Sequence, residues 1–465
     1  MNKKLVIFFP FTLWLIYVIF LSAFYPETRW DWRKEEAKPM KFPDGFVWGV
    51  ATSSHQVEGG CTNNWSSWEN STDEENNPRI HNDEKSGIAC DHWNRYKDDI
   101  QLIKDLGVTS YRFSIEWSKV EPEEGRFDAM ALEHYKNVCI ALKESGIMPV
   151  VTLHHFTHPI WFEEMGAFEY KENLDYFVRY SERVFDALNE YVGMWCTINE
   201  PAVYTYQGYF NGVWPPGKID PQLAGKVLKN LLEGHVRIYK ALKSRKGGVE
   251  TQIGIVKNVF PFDPYNRWNP MDWMVTRMLD NVFNNVSLDF LGSGTYNYSM
   301  PTMVKFKYEN PDAVGSLDFI GMNNYSHQRI KSHFNPNQFF TIEFYPHEPM
   351  TDMNYPIYPE AIYRSIKRVS KLGVPIFITE NGIADAKDDR RALYIDRYIR
   401  AVARSIQEGF DVRGYFYWSL MDNFEWSEGY NMKFGLYKVD FRTQERRLRD
   451  GSRRFIDIVN SSKNE

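Results

Sequence analysis

Cysteine is scarce: four residues, Cys61, Cys90, Cys139 and Cys196, in a chain of 465. So few thiols cannot build a disulfide framework, and no pair stands at metal-ligand spacing, so they read as unpaired and mostly buried. Positive charge is not in excess either. The formal net charge is -6 and no basic stripe with interleaved aromatics occurs, which removes the electrostatic footprint of a nucleic-acid binder. No internal repeat at solenoid spacing and no low-complexity tract is present, so the chain is not a repeat array. Long apolar runs are missing with one exception. After Lys3 and Lys4, residues Leu5 to Phe24 are mostly apolar, interrupted by Pro10. At ~1.5 Å per residue such a stretch can cross a bilayer, so residues 1–24 are expected to be a single membrane anchor or, alternatively, the signal peptide of an exported protein.

What the chain does hold is apolar mass and aromatic rings. It is 43% hydrophobic and 16% aromatic, with 15 Trp. That is enough for a large core, and the surplus of rings suits a site that stacks on flat or ring-shaped ligands such as sugars. Residues 25–41 are charged and aromatic without periodicity and read as a juxtamembrane linker. From Phe42 to about residue 460, short β-rich runs alternate with helical patterns, as repeated βα units would.

Eight candidate strands stand out: 46–52, 110–117, 148–154, 194–199, 252–257, 317–323, 375–380 and 414–419. Helical periodicity occupies 91–106, 173–191, 224–245, 359–371 and 392–408. Eight strands with helices between them close a single (β/α)8 barrel, an α/β fold preceded here by the N-terminal apolar segment. Longer connections at 60–88, 203–222 and 259–315 are where such a barrel inserts its substrate-shaping loops.

Two strands end in a carboxylate. The run from Val374 to Thr379 delivers Glu380 to its tip before an Asn-Gly pair, and Thr197 to Asn199 deliver Glu200 before Pro201. In a parallel barrel the strand tips build the active site. Two acids there, with Asn199 beside Glu200 to donate a hydrogen bond and Asn381 following Glu380, suit glycoside hydrolysis: one protonates the leaving oxygen while the other attacks or activates water. Either Glu alone could equally be a helix N-terminal or surface residue. His154, His155 and His158 also admit a metal-dependent hydrolase, separable by chelator sensitivity, although no carboxylate or cysteine stands at ligand spacing.

The stretch Thr197 to Pro201 resembles the acid/base motif of glycoside hydrolase family 1, and Ile378 to Gly382 resembles its nucleophile motif. The resemblance covers nearly all of residues 42–450. It includes Phe42 to Thr52 through Gln56 and Glu58, Tyr111 to Trp117, Asp318 to Tyr325, and Tyr417 through Trp426 to Gly429. It implies a retaining β-glycosidase acting on β-glycosides or oligosaccharides without a metal or cofactor. Glu380 would be the nucleophile and Glu200 the general acid and later base, about 5 to 5.5 Å apart. Arg112 and Tyr325 would orient the Glu380 carboxylate, and Asn199 would bind the sugar 2-hydroxyl. Gln56, His155, Glu425 and Trp426 would take the other hydroxyls, over Trp418 as platform. A carboxylate at 425 would repel a sugar phosphate.

The chain departs from the pattern at Phe156, His158 and Asn324. It departs most over 261–316, which would line the aglycone entrance. A non-catalytic glycan-binding or receptor-like protein on the same barrel is the alternative, since fold does not guarantee function. Gly382 is expected to serve the turn after its strand. Oligomeric state is not encoded in any motif.

Overall fold

The computed structural model describes residues 3–463 except 302, 336 and 337, with side chains from residue 10 onward. An N-terminal helix, α1 (Lys3–Phe24), precedes the barrel. The barrel strands are β1 (Val47–Ala51), β2 (Ser110–Ser114), β3 (Met148–His154), β4 (Met194–Asn199), β5 (Gln252–Asn258), β6 (Phe319–Asn323), β7 (Ile376–Asn381) and β8 (Val412–Trp418). They pair in parallel and in sequence order, and β1 pairs with both β2 and β8, Val47 opposite Gly414, which closes the ring. All eight expected strands form, most shifted by one or two residues at their ends. The second stops earlier than expected, at Ser114, because Glu116 caps a short helix, Trp117–Val120, through the Ser118 N–H.

The helices outside the ring include α2 (His92–Asp105), α3 (Ala129–Glu144), α4 (Leu174–Leu188), α5 (Pro221–Lys243), α6 (Pro270–Asp280), α7 (Val286–Ser293), α8 (Glu360–Val369), α9 (Arg391–Gln407) and α10 (Arg453–Ser462). Apolar side chains separate into two layers. Ile253, Ile320, Ile376, Ile378 and Tyr415 face outward into the large core under the helices. Met194, Cys196, Val256, Phe319, Phe377 and Phe416 fill the barrel lumen. This is strand alternation with both faces buried, which is why these strands read as continuous apolar runs. All four cysteines are free; three are buried and Cys61 is partly so.

Residues 259–315 form a unit of their own. The segment carries α6, α7 and a hairpin, Thr295–Met300 with Val304–Glu309. Phe262–Pro264 joins Gln328–Ser332 and Phe340–Ile342 in a small three-stranded sheet over the barrel's C-terminal end.

The N-terminal region is more ordered than a linker. Residues 25–41 lie along the barrel: Arg329 binds Glu27, the Trp30 N–H donates to Glu360, and Arg404 and Arg397 pair with Glu35 and Glu36. α1 rests on α6 with Val18 and Leu21 around Trp273. Among the described residues no helix is long and apolar enough to cross a membrane, and the side chains from Leu5 to Phe9 lie outside the described set.

Candidate active site

Strand alternation alone would not bring the two acids together. In β7, Phe377 points into the lumen and Ile378 outward, so Glu380 should also point outward. A register shift between Ile378 and Glu380 sets two residues of β7 against one step of β6, and this bulge turns Glu380 inward. β4 does the same. Cys196 lies in the lumen, Ile198 faces the helices, and a shift between Cys196 and Asn199 against β5 swings Asn199 inward. Glu200 follows in a left-handed conformation, φ 46°, with Pro201 opening a short helix behind it.

The two acids sit in different surroundings inside one cavity of about 540 Å³. Glu380 accepts from Arg112 Nη1 at 2.6 Å and from the Tyr325 hydroxyl at 2.7 Å, one donor for each oxygen. Burial disfavours the Arg112 cation, but Glu380 and its neighbours outweigh that and raise its pKa. Among the described residues no cation lies within ion-pair distance of Glu200, and the buried Lys257 acts on it only at longer range, lowering its pKa. Burial first, and then the charge of Glu380, push its carboxyl up to about 7, while hydrogen bonds from Asn323 and Asn258 pull the other way. Those amides donate to Glu200 Oε1 at 2.7 and 2.8 Å. One acid is therefore clamped by a cation and a hydroxyl, and the other stands ready to carry a proton near neutrality.

Around them the remaining expected residues converge. Arg112 Nη2 donates to Asn199 Oδ1 at 2.7 Å, and the Asn199 amide lies 3.2 Å from His155 Nε2, so Asn199 is locked between two neighbours. His155 stacks between Trp418 and Trp426, with centroids at 5.8 and 6.0 Å. Burial, then Arg112, drive its pKa well below the ordinary value, so it is a neutral ring, and its buried Nδ1 has no protein partner. Gln56 donates to Glu425 Oε2 at 3.1 Å. Burial and then Glu380 push Glu425 up to about 8. The shift favours the neutral carboxyl, which can donate as well as accept.

Several residues with a role went unread in the sequence. Asn258 and Asn323, which hold Glu200, are each the last residue of a barrel strand, the same position that marked Asn199; that shared position was the available signal. Lys257 is buried beside them. Its Nζ donates to the Asn258 carbonyl and lies 4.5 Å from the Phe283 ring centroid, and burial brings its pKa down to about 7.

Gly382 also needs a correction. A Cβ there would stand 1.8 Å from the Trp418 carbonyl oxygen, so glycine is required by the approach of β7 to β8 and not by a turn. Asn324 is fully buried and donates to the Val259 carbonyl at 2.7 Å, which closes its glycosylation sequon. His158 gives Nε2 to Glu163 at 2.6 Å and turns Nδ1 toward His154. Among the described residues no group of three or more His, Cys, Asp or Glu side chains could hold a metal ion. Phe156 packs edge-on against Trp214 and Trp426 and walls the cavity beside His155.

Residues 38–464 match the family model described as Glycosyl hydrolase family 1. Beta-glucosidase A of Thermotoga maritima is 35% identical over 448 residues, covering 91% of this chain and 98% of that protein. A 6-phospho-beta-galactosidase of Clostridium acetobutylicum is 30% identical, over 87% of this chain and 94% of its own length. Among solved structures, a beta-glycosidase from Pyrococcus horikoshii superposes with a TM-score of 0.82 at 39% identity, covering 91% of this chain and 96% of that one.

Proposed function

The chain belongs to glycosyl hydrolase family 1, and from that premise we propose that it hydrolyses β-linked glucosides, with galactosides or fucosides as further substrates, through a covalent glycosyl-Glu380 intermediate. It is a retaining β-glycosidase. The observation that carries the residue assignment is the contrast between Glu380, clamped by Arg112 and Tyr325, and Glu200, which burial and Glu380 raise to about 7 and which no cation contacts at ion-pair distance among the described residues.

Glu380 attacks the anomeric carbon while Glu200 passes its proton to the leaving oxygen. Ester formation at Glu380 removes the negative charge that helps to keep the Glu200 pKa high. Glu200 then releases a proton more readily and serves as base toward the incoming water. Asn199, immobilised by Arg112, binds the sugar 2-hydroxyl, a contact that tightens as charge grows at the anomeric carbon. Gln56, His155, Glu425 and Trp426 take the remaining hydroxyls, and Trp418 is the apolar floor.

Unphosphorylated sugar is favoured over the 6-phospho substrates named for one relative. Among the described residues no Lys or Arg lines the cavity to meet a phosphate. For location, we infer membrane attachment through residues 5–24 or export; the exposed apolar side chains of α1 support attachment, and fractionation with a carbonate wash tests it.

The deciding measurement is hydrolysis of aryl β-glycosides with anomeric analysis of the product. Glu380→Ala abolishes turnover. Glu200→Ala loses roughly 10²- to 10⁴-fold on substrates with poor leaving groups and far less on those with good ones. Equal losses on both, or inverted product, would refute the assigned roles.

A further inference from the structure

β5 carries a lysine where strand alternation calls for an apolar side chain. Ile253 and Ile255 face the helices and Val256 the lumen, so Lys257 belongs to the helix-facing series, and it is only 1% exposed. A buried ammonium is costly unless it is paired. Among the described residues no carboxylate lies within ion-pair distance of Lys257. Asp280 of α6, the acid that acts on it from the helices, is already taken by Arg368 of α8 and by Arg277. What receives the ammonium is the Asn258 carbonyl, to which Nζ donates, and the face of Phe283, with its centroid at 4.5 Å. Phe283 stands in a single π-helical turn, Asn281–Asn285, inserted between α6 and α7. Inserted turns of this kind tend to mark functional positions.

Asn258 joins this cation to the acid of the site. Its carbonyl accepts from Lys257, and its side-chain amide donates to Glu200 Oε1 at 2.8 Å. The coupling runs both ways. Lys257 favours the charged form of Glu200, and charged Glu200 favours the ammonium against the burial that brings Lys257 down to about 7. Of the other charges facing Lys257, Arg368 opposes the ammonium and Asp280 supports it.

Glu200 has opposite needs in the two steps. In the first it must hold a proton, which burial and the Glu380 charge secure. In the second, water attacks the anomeric carbon, the ester bond to Glu380 breaks with its electron pair returning to that carboxylate, and Glu200 takes the water proton. With Glu380 esterified, burial still opposes the Glu200 anion, and Asn323, Asn258 and Lys257 favour it.

We propose that Lys257 is a positioning residue for the second step: its ammonium, held behind Asn258, is the countercharge that keeps Glu200 an anion while the glycosyl-Glu380 ester is hydrolysed. The proposal rests on the β-glycosidase reading and adds to it the group that prepares the base.

The test compares the full chain with Lys257→Met, Lys257→Arg and Phe283→Leu. For dinitrophenyl β-glucoside, whose leaving group needs no proton, kcat reports ester hydrolysis; for methyl β-glucoside, kcat/KM reports the first step. Lys257→Met lowers the dinitrophenyl kcat roughly two- to fivefold on its acidic limb and moves that limb to higher pH. The basic limb of kcat/KM for methyl glucoside also moves up, so there the variant exceeds the parent. That second shift is the smaller one, because the parent's ammonium is itself lost as pH rises through about 7. Lys257→Arg keeps a cation and holds both limbs near those of the parent.

A gain in one step with a loss in the other is a signature that damaged packing does not give. Equal losses in both steps with unmoved limbs overturn the proposal, as does a limb that moves down. Phe283→Leu keeps the lysine and removes the ring beneath it, so both limbs move as in Lys257→Met but less. If Lys257→Met does not fold, unmoved limbs in Phe283→Leu overturn the proposal. No turnover of any glucoside by the parent overturns the glycosidase reading as well.

Discussion

Glu200 is governed by burial and by four neighbours, Glu380, Asn323, Asn258 and, least of them, Lys257, which lowers its pKa. Burial and Glu380 raise its pKa, and the amides of Asn258 and Asn323 lower it because they donate to the charged form. The proposed mechanism needs Glu200 protonated in the first step, so kcat/KM is expected to fall as pH rises through about 7. Asn258→Ala removes one stabiliser of the anion, so the basic limb moves to higher pH by roughly one unit. The pH profile of kcat/KM checks this, and a limb that stays or moves down would refute it.

At the scale of the element, the strand tips are built by small irregularities. Each catalytic strand carries one extra residue just before its acid, and that single insertion decides whether the acid faces the lumen or the helices. The Gly382 contact holds the ends of β7 and β8 at their spacing. Gly382→Ala forces the Trp418 peptide away, costing roughly 1 to 3 kcal/mol of stability and displacing the Trp418 ring, the proposed sugar platform. Thermal unfolding and kcat/KM for an aryl glucoside are both expected to fall; an unchanged value in both would show that the approach is loose.

Across the whole molecule, the N-terminal strap ties the chain's first forty residues to the small sheet over the barrel. Arg329 is fully buried between Glu27 and Glu348, and Arg29 adds a second cation to Glu348. Burial alone would raise the Glu348 carboxyl, but hydrogen bonds from Arg329 and Arg29 hold it down to about 2. A carboxyl depressed from 4.5 contributes stability that is complete above the unfolded value and is lost as pH falls toward 2. Glu348→Gln therefore lowers Tm clearly at pH 7, and the gap from the parent narrows as pH drops below about 4.5. A gap that is constant or widens on acidification would show that the ion pair is not its source.

The amino-acid sequence by itself determined the strands, their order and the two acids. Strands buried on both faces must be apolar throughout, and a carboxylate or amide ending such a run, as at Glu200, Glu380 and Asn199, is conspicuous. Arg112, Tyr325, Gln56, His155, Trp418, Glu425 and Trp426 were legible through family resemblance and not through local pattern, because what each touches lies on another strand. Only the tertiary structure decided which way Glu380 and Asn199 point, that Asn258 and Asn323 hold Glu200, and that burial beside Glu380 raises the Glu425 pKa. Those properties depend on the register between neighbouring strands and on burial, which arise when distant segments meet and leave no periodicity in the chain.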